Sequence, residues 1–162
     1  MQDERKAADG SIPGFGQLHP RTQGVTTLGT IYSSSLFPGR APEGMFLMLN
    51  YIGGATNRVI LDQSEEEIVA QVDKDLRLEG MPLKGDAPKP VVVGVRTWPK
   101  AIPQFNVGHN QTLADARDAL DEAGFDSIKL GGNYVSGVAL GKCIEYGYTF
   151  AGEIAESVKS NA

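Results

Sequence analysis

The sequence predicts an α/β (α+β) fold, and three observations carry that expectation. Short β-rich segments are bounded by Gly and Pro, two stretches repeat apolar residues at helical spacing, and the last third reads as strand, glycine-rich turn, helix. Residues 1–24 are polar and rich in Gly and Pro, an arm or the end of an element that begins upstream. Within them Gly14-Phe15-Gly16-Gln17-Leu18-His19 reads as a turn. Residues 25–33, rich in Thr, Val, Ile and Tyr, read as a strand, and residues 38–44 as a loop. Residues 45–52 form a second strand ending at Gly53-Gly54, so the pair is expected to make a hairpin.

Ser64 followed by Glu67 is a capping-box pattern, and Ile68, Val72 and Leu76 recur behind it at helical spacing, which predicts a helix over 64–77. Its acidic first turn, Glu65 to Glu67, suits the positive end of a helix dipole. Residues 80–90 are a Pro/Gly loop, 90–98 a strand, and 98–108 an irregular segment because Pro99 and Pro103 forbid regular structure. Leu113, Ala116, Leu120 and Ala123 mark a helix over 112–124 that stops at Gly124. Residues 127–130 read as a short strand, followed by the turn Gly131 to Gly137. Beyond it Ile144, Tyr148, Ala151, Ala155 and Val158, with Gly147, Phe150 and Ile154 on the adjacent facet, predict a long, broadly apolar and well-buried helix.

The composition excludes several classes. The chain has 162 residues, 41% of them hydrophobic, and a formal net charge of -5, and its basic residues are scattered rather than clustered. Nucleic-acid and anionic-membrane binders need clustered Lys and Arg, so neither partner is expected. The single cysteine, Cys143, excludes an internal disulfide framework and a multi-thiolate zinc site. The longest apolar runs, 45–49 and 91–93, are far short of the ~20 residues that cross a bilayer. The first ten residues mix both charge signs and hold no apolar run, so no secretory or transit segment is legible in them.

The segment 127–158 is the one that points to chemistry. Glycines 131, 132 and 137 let the backbone approach a flat or anionic ligand, and the first amides of the following helix, near Val138 to Leu140, lack intrahelical acceptors. Such a helix start suits a phosphate, or the negative charge on a reduced ring carbonyl. A Gly-rich strand-to-helix turn is also a bare packing device, so the pattern alone leaves both readings open.

Three ordered motifs narrow the choice: LGGNYVSGVALGKCIEYGY (130–148), RTWPKAIPQFNVGH (96–109) and GFGQLHPRTQGVTTLGTIYSSSLFPGRAP (14–42). Together they resemble the C-terminal part of the plant-type (chloroplast) protoporphyrinogen oxidases, FAD-containing members of the amine-oxidase-like flavoprotein superfamily. The resemblance runs from Gly14 nearly to the end. It implies a C-terminal fragment of a two-domain FAD-binding flavoprotein, with residues 25–98 as part of the substrate-domain sheet and 99–162 as the C-terminal part of the FAD-binding domain. It also implies backbone amides of Val138, Ala139 and Leu140 facing the isoalloxazine ring, Gly132 and Asn133 near the ribityl-pyrophosphate stretch, and Gly137 completing the turn. Trp98 and Ile102 match the loop beside the ring. Ser136, Lys142 and Tyr146-Gly147 depart mildly from the commonest plant pattern.

The implied reaction is oxidation of protoporphyrinogen IX to protoporphyrin IX in heme and chlorophyll biosynthesis, with hydride leaving a bridge carbon for the flavin and dioxygen reoxidising it. The implied setting is the chloroplast, with peripheral membrane association and a homodimer left open for the full protein. No residue here reads as a catalytic acid or base, which suits a reaction whose redox chemistry belongs to a cofactor. Two alternatives stand beside this reading: a non-catalytic fragment or interaction module, and a different flavin amine oxidase. No G-x-G-x-x-G fingerprint is present, so the isolated chain is expected neither to hold FAD nor to turn over. Outside the flavin reading, Trp98 is a packing anchor, His19 and His109 are hydrogen-bonded loop or capping residues, and Cys143 is a small buried hydrophobe. Lys142 reads as a solvated helix lysine.

Overall fold

The computed structural model describes residues 12–160 and divides into two compact units, Met1–Thr97 and Trp98–Ala162. Residues 1–11 of the expected arm lie outside the described residues.

In the first unit, strands β1 (Gly16–Leu18), β2 (Thr27–Ile31) and β3 (Leu49–Ile52) form an antiparallel sheet in the order β1-β2-β3. The predicted hairpin is β2 and β3, with Ile31 opposite Leu49 and Thr30 opposite Asn50. β1 corrects the reading of residues 14–19 as a turn: three residues with a glycine carry too little strand propensity to stand out, and only pairing with β2 makes them a strand. A four-residue helix α1 (Ser33–Leu36) follows β2. Helix α2 (Glu65–Leu76) is capped as its sequence requires. Ser64 Oγ accepts from Glu67 N–H at 3.2 Å, and Glu67 Oε2 accepts from Ser64 N–H at 2.8 Å.

The sheet packs α2 with a polar inner face. Thr26 and Thr27 N–H donate to Asp75 Oδ2 at 3.0 and 2.6 Å, the Thr27 hydroxyl donates to the same oxygen at 2.8 Å, and Gln71 Nε2 donates to Oδ1 at 2.8 Å. Thr27, Thr30 and Asp75 are buried, and Gln17 on β1 donates to Gly80 O beyond α2. A small apolar core of Tyr32, Ile60, Ile68, Leu76 and Met81 surrounds these bonds.

After α2 the chain is tied by one side chain. Arg77 Nε donates to both Asp73 carboxylate oxygens at 3.1 Å, Nη1 donates to the carbonyls of Lys84, Gly85 and Ala87, and Nη2 to that of Pro88. Only a guanidinium fork spans that set, so Arg77→Lys is expected to cost about 1–2 kcal/mol locally and to raise limited proteolysis within 84–90 severalfold. An unchanged cleavage pattern in the intact protein would count against this latch. The predicted strand over 90–98 is in no sheet ladder: no described strand pairs with it, and Val91, Val92 and Val93 are exposed. β propensity favours an extended chain, but a strand also needs a partner for its amides.

The second unit holds α3 (His109–Glu122), α4 (Asn133–Ser136) and α5 (Leu140–Ser160). α3 begins three residues before the predicted start, where Gly108 O accepts from Thr112 N–H at 3.0 Å. Residues 127–130 lie in no ladder, correcting the predicted strand, and α4 turns part of the glycine segment into one helical turn. α5 confirms the long helix but not its burial. Ile144 is 64% and Tyr148 86% exposed, and no described residue of this unit is buried. Helical periodicity marks an apolar face without supplying what covers it.

Candidate functional site

The turn before α5 gathers six of the predicted residues in one stretch: Gly132, Asn133, Gly137, Val138, Ala139 and Leu140. Gly132 and Gly137 hold φ at +127° and +109°, and Gly137 combines this with ψ 159°, a conformation open essentially to glycine alone. Nothing lies within 4 Å of where a Gly137 Cβ would sit, so the backbone and not crowding demands glycine there. Cys143 N–H donates to Ala139 O at 3.0 Å, closing the first turn of α5. The amides of Leu140, Gly141 and Lys142 therefore precede any intrahelical acceptor and sit on exposed residues, which moves the donor set two residues beyond the expected Val138 to Leu140, because the backbone leaving Gly137 becomes helical only at Leu140. This is an open set of backbone donors at the positive end of a 21-residue helix, and it fits an anionic or electron-rich ring edge.

Other contacts hold the turn in place. His109 Nε2 lies 2.7 Å from Tyr134 O, and because a carbonyl only accepts, Nε2 carries the proton. Phe105 meets the His109 ring edge-on, with centroids 4.7 Å apart, so the segment bearing Trp98 and Ile102 is connected to the glycine turn through Phe105, His109 and Tyr134. Trp98 is 64% exposed and not a buried anchor, and Ile102 is exposed with its carbonyl accepting from Gln104 Nε2. Cys143 is half-buried and its thiol donates to Gly137 O at 3.3 Å. Gly131 lies under the stacked pair Tyr146 and Phe150: a Cβ there would come within 3.2 Å of Phe150 Cε1. The Tyr146/Phe150 spacing of four was the sequence signal for that contact. Lys142 pairs with Glu145 at 2.7 Å; hydrogen bonding followed by charge attraction raises the lysine and holds the carboxyl below its usual range. Both are exposed, so the pair contributes little to stability.

The first unit carries a second feature that the sequence reading passed over. Register places Gly16, Leu18, Gly29, Ile31, Leu49 and Tyr51 on the sheet face opposite the polar layer. Leu18 is 90% exposed, and Leu49 and Tyr51 are also exposed. A Cβ on Gly29 would come within 2.9 Å of Gln17 O and 3.3 Å of Leu18 Cδ2, and one on Gly16 would run into Thr30 O. The result is an apolar strip on which Leu18, Leu49 and Tyr51 are exposed, with glycine required at 16 and 29 because neighbouring atoms already fill the space a side chain would take. The period-two alternation was present in the sequence, but which face was covered depended on α2.

Neither feature names a ligand by itself, and comparison supplies the family. The model of the family described as flavin containing amine oxidoreductase matches residues 1–155, and the chain belongs to that family. Its cofactor class is accordingly a flavin. The match also takes in residues 1–13, where the motifs showed nothing.

Similar curated proteins include the chloroplastic protoporphyrinogen oxidase of Nicotiana tabacum, 60% identical over 95% of this chain and 28% of that protein. The chloroplastic protoporphyrinogen oxidase of Oryza sativa subsp. japonica is 57% identical over 91% of this chain and 27% of that protein. A coproporphyrinogen III oxidase of Bacillus subtilis (strain 168) is 30% identical over 83% and 27%. The chain thus spans little more than a quarter of the length of the relatives it matches. Among the described residues no helix is long and apolar enough to cross a membrane.

Proposed function

We propose that this chain is the C-terminal part of a chloroplast FAD-dependent protoporphyrinogen oxidase, acting in tetrapyrrole biosynthesis. The observation that carries the proposal is the pairing of 60% identity across 95% of the chain with an open donor set at the start of α5. In this reading residues 99–162 belong to the FAD-binding domain, residues 25–98 to the substrate domain, and residues 1–24 lead into it. The division of the structure after Thr97 supports that assignment.

A flavin bound beside the turn at residues 132–140 would supply the two-electron redox chemistry between porphyrinogen and dioxygen. The chain's residues do the rest by position. The amides at Val138, Ala139 and Leu140 face the electron-poor pyrimidine end of the ring; Leu140 belongs to the open donor set of α5, which continues through Gly141 and Lys142, and a preorganised set of this kind matters by a few kcal/mol when negative charge develops opposite it. Gly132 and Asn133 lie by the ribityl-pyrophosphate stretch, and Trp98 and Ile102 shield the ring from solvent. Leu18, Ile31, Leu49 and Tyr51 offer the macrocycle a flat apolar seat from which water is displaced.

A hybrid enzyme tests this. Residues 1–155 replace the matching segment of the tobacco chloroplastic enzyme, and the product is desalted and assayed for flavin absorbance and for protoporphyrin fluorescence. Bound flavin with turnover within about tenfold of the parent is expected, because family members at this identity share their packing. Loss of flavin, or flavin with no porphyrinogen oxidation, would overturn the proposal.

A further inference from the structure

We propose that Arg21 is a specificity-determining residue that holds a carboxylate of the substrate at one end of the open sheet face; this rests on the reading of that face as the porphyrinogen seat. β2 opposes β3 with one extra residue, Leu28, between Thr27 and Gly29, and the irregularity lies at the end of the sheet where β3 runs into Gly53-Gly54. A Cβ built on Gly54 would lie 3.4 Å from Leu28 Cδ1 and 3.9 Å from Arg21 Nη2. Apolar side chain and guanidinium therefore converge on a single point at the border of the Leu18, Ile31, Leu49 and Tyr51 strip. Among the described residues no hydrogen bond or ion pair engages that guanidinium, in a chain whose net charge is -5.

An arginine with no partner among the described residues, beside an exposed apolar strip, matches one kind of ligand: a broad apolar body with an anionic group at its edge. A porphyrinogen has that form, with a macrocycle and propionate side chains. The guanidinium fork pairs with a carboxylate through two parallel N–H donors, which gives orientation as well as affinity. Gly54, lacking a side chain, leaves the space beside the guanidinium open. Arg21 is exposed and lies outside the flavin turn, so its substitution is expected to leave cofactor binding unchanged.

The test uses the hybrid enzyme with Arg21→Gln and Arg21→Lys, each assayed with protoporphyrinogen and with its dimethyl ester, whose propionates carry no charge. Arg21→Gln is expected to raise KM for the free acid about tenfold, as for loss of a charge-assisted contact, with kcat and bound flavin unchanged. KM for the ester should not move, and Arg21→Lys, which keeps the charge but not the fork, should recover only part of the loss for the acid. An equal change for both substrates, or none for either, overturns the proposal while the parent reading stands. An unmutated hybrid that oxidises neither substrate overturns the parent reading and this proposal with it.

Discussion

Gly137→Val in the hybrid enzyme is expected to yield a folded protein that loses most of its flavin on desalting. At φ +109° and ψ 159° a β-branched residue is strained by several kcal/mol, more than the 1–3 kcal/mol usual for an unfavourable backbone, so the turn must relax elsewhere. Relaxation rotates the peptide groups leading into α5 and moves the amides of Val138 to Leu140 off their target. Because the space around a Gly137 Cβ is empty, Gly137→Ala isolates the backbone effect from bulk and should show a smaller loss in the same direction. Flavin occupancy and reduction potential measured across the three proteins decide the matter. Equal values in all three would show that the turn does not hold the cofactor.

Asp75→Ala is expected to destabilise the first unit by roughly 3 kcal/mol or more, because its carboxylate accepts four hydrogen bonds while buried. Removing it strands the Thr26 and Thr27 amides and the Thr27 hydroxyl under α2, where water cannot replace the acceptor. Asp75→Asn retains one acceptor oxygen and should fall between. Chemical denaturation of the hybrid, followed by flavin release and by circular dichroism, reads the effect. A midpoint unchanged within error in Asp75→Ala would mean that α2 is held by its apolar contacts alone. The sheet face and Arg21 rest on the same framework, so the alanine variant should also weaken substrate binding more than Arg21→Gln does.

The parts of this molecule that the sequence made legible are those decided within one turn of chain. The Ser64/Glu67 box and the acidic turn behind it specify the start of α2 without help from distant residues. The same holds for the glycine turn, whose unusual backbone at Gly132 and Gly137 is announced by residue type, and for the helix that follows it. Strand β1 was hidden because its identity depends on β2, and the strands expected over 90–98 and 127–130 were overcalled because propensity cannot supply a partner.

By itself, then, the sequence determined the hairpin, the three longer helices, the glycine turn and the family, since each rests on local spacing or on residue identity in order. Tertiary structure decided which face of the sheet is covered. Asp75 and Gln71 on α2 draw the hydroxyls and amides of Thr27 and its neighbours inward, so the polar side of the strands is buried and the side bearing Leu18, Ile31 and Tyr51 is left open. Alternation alone would have sent the apolar side to the core. Burying the Asp75 carboxyl at the sheet–helix contact reverses that order, because a buried acceptor must be met by donors, and the amides of Thr26 and Thr27, the Thr27 hydroxyl and Gln71 supply them there.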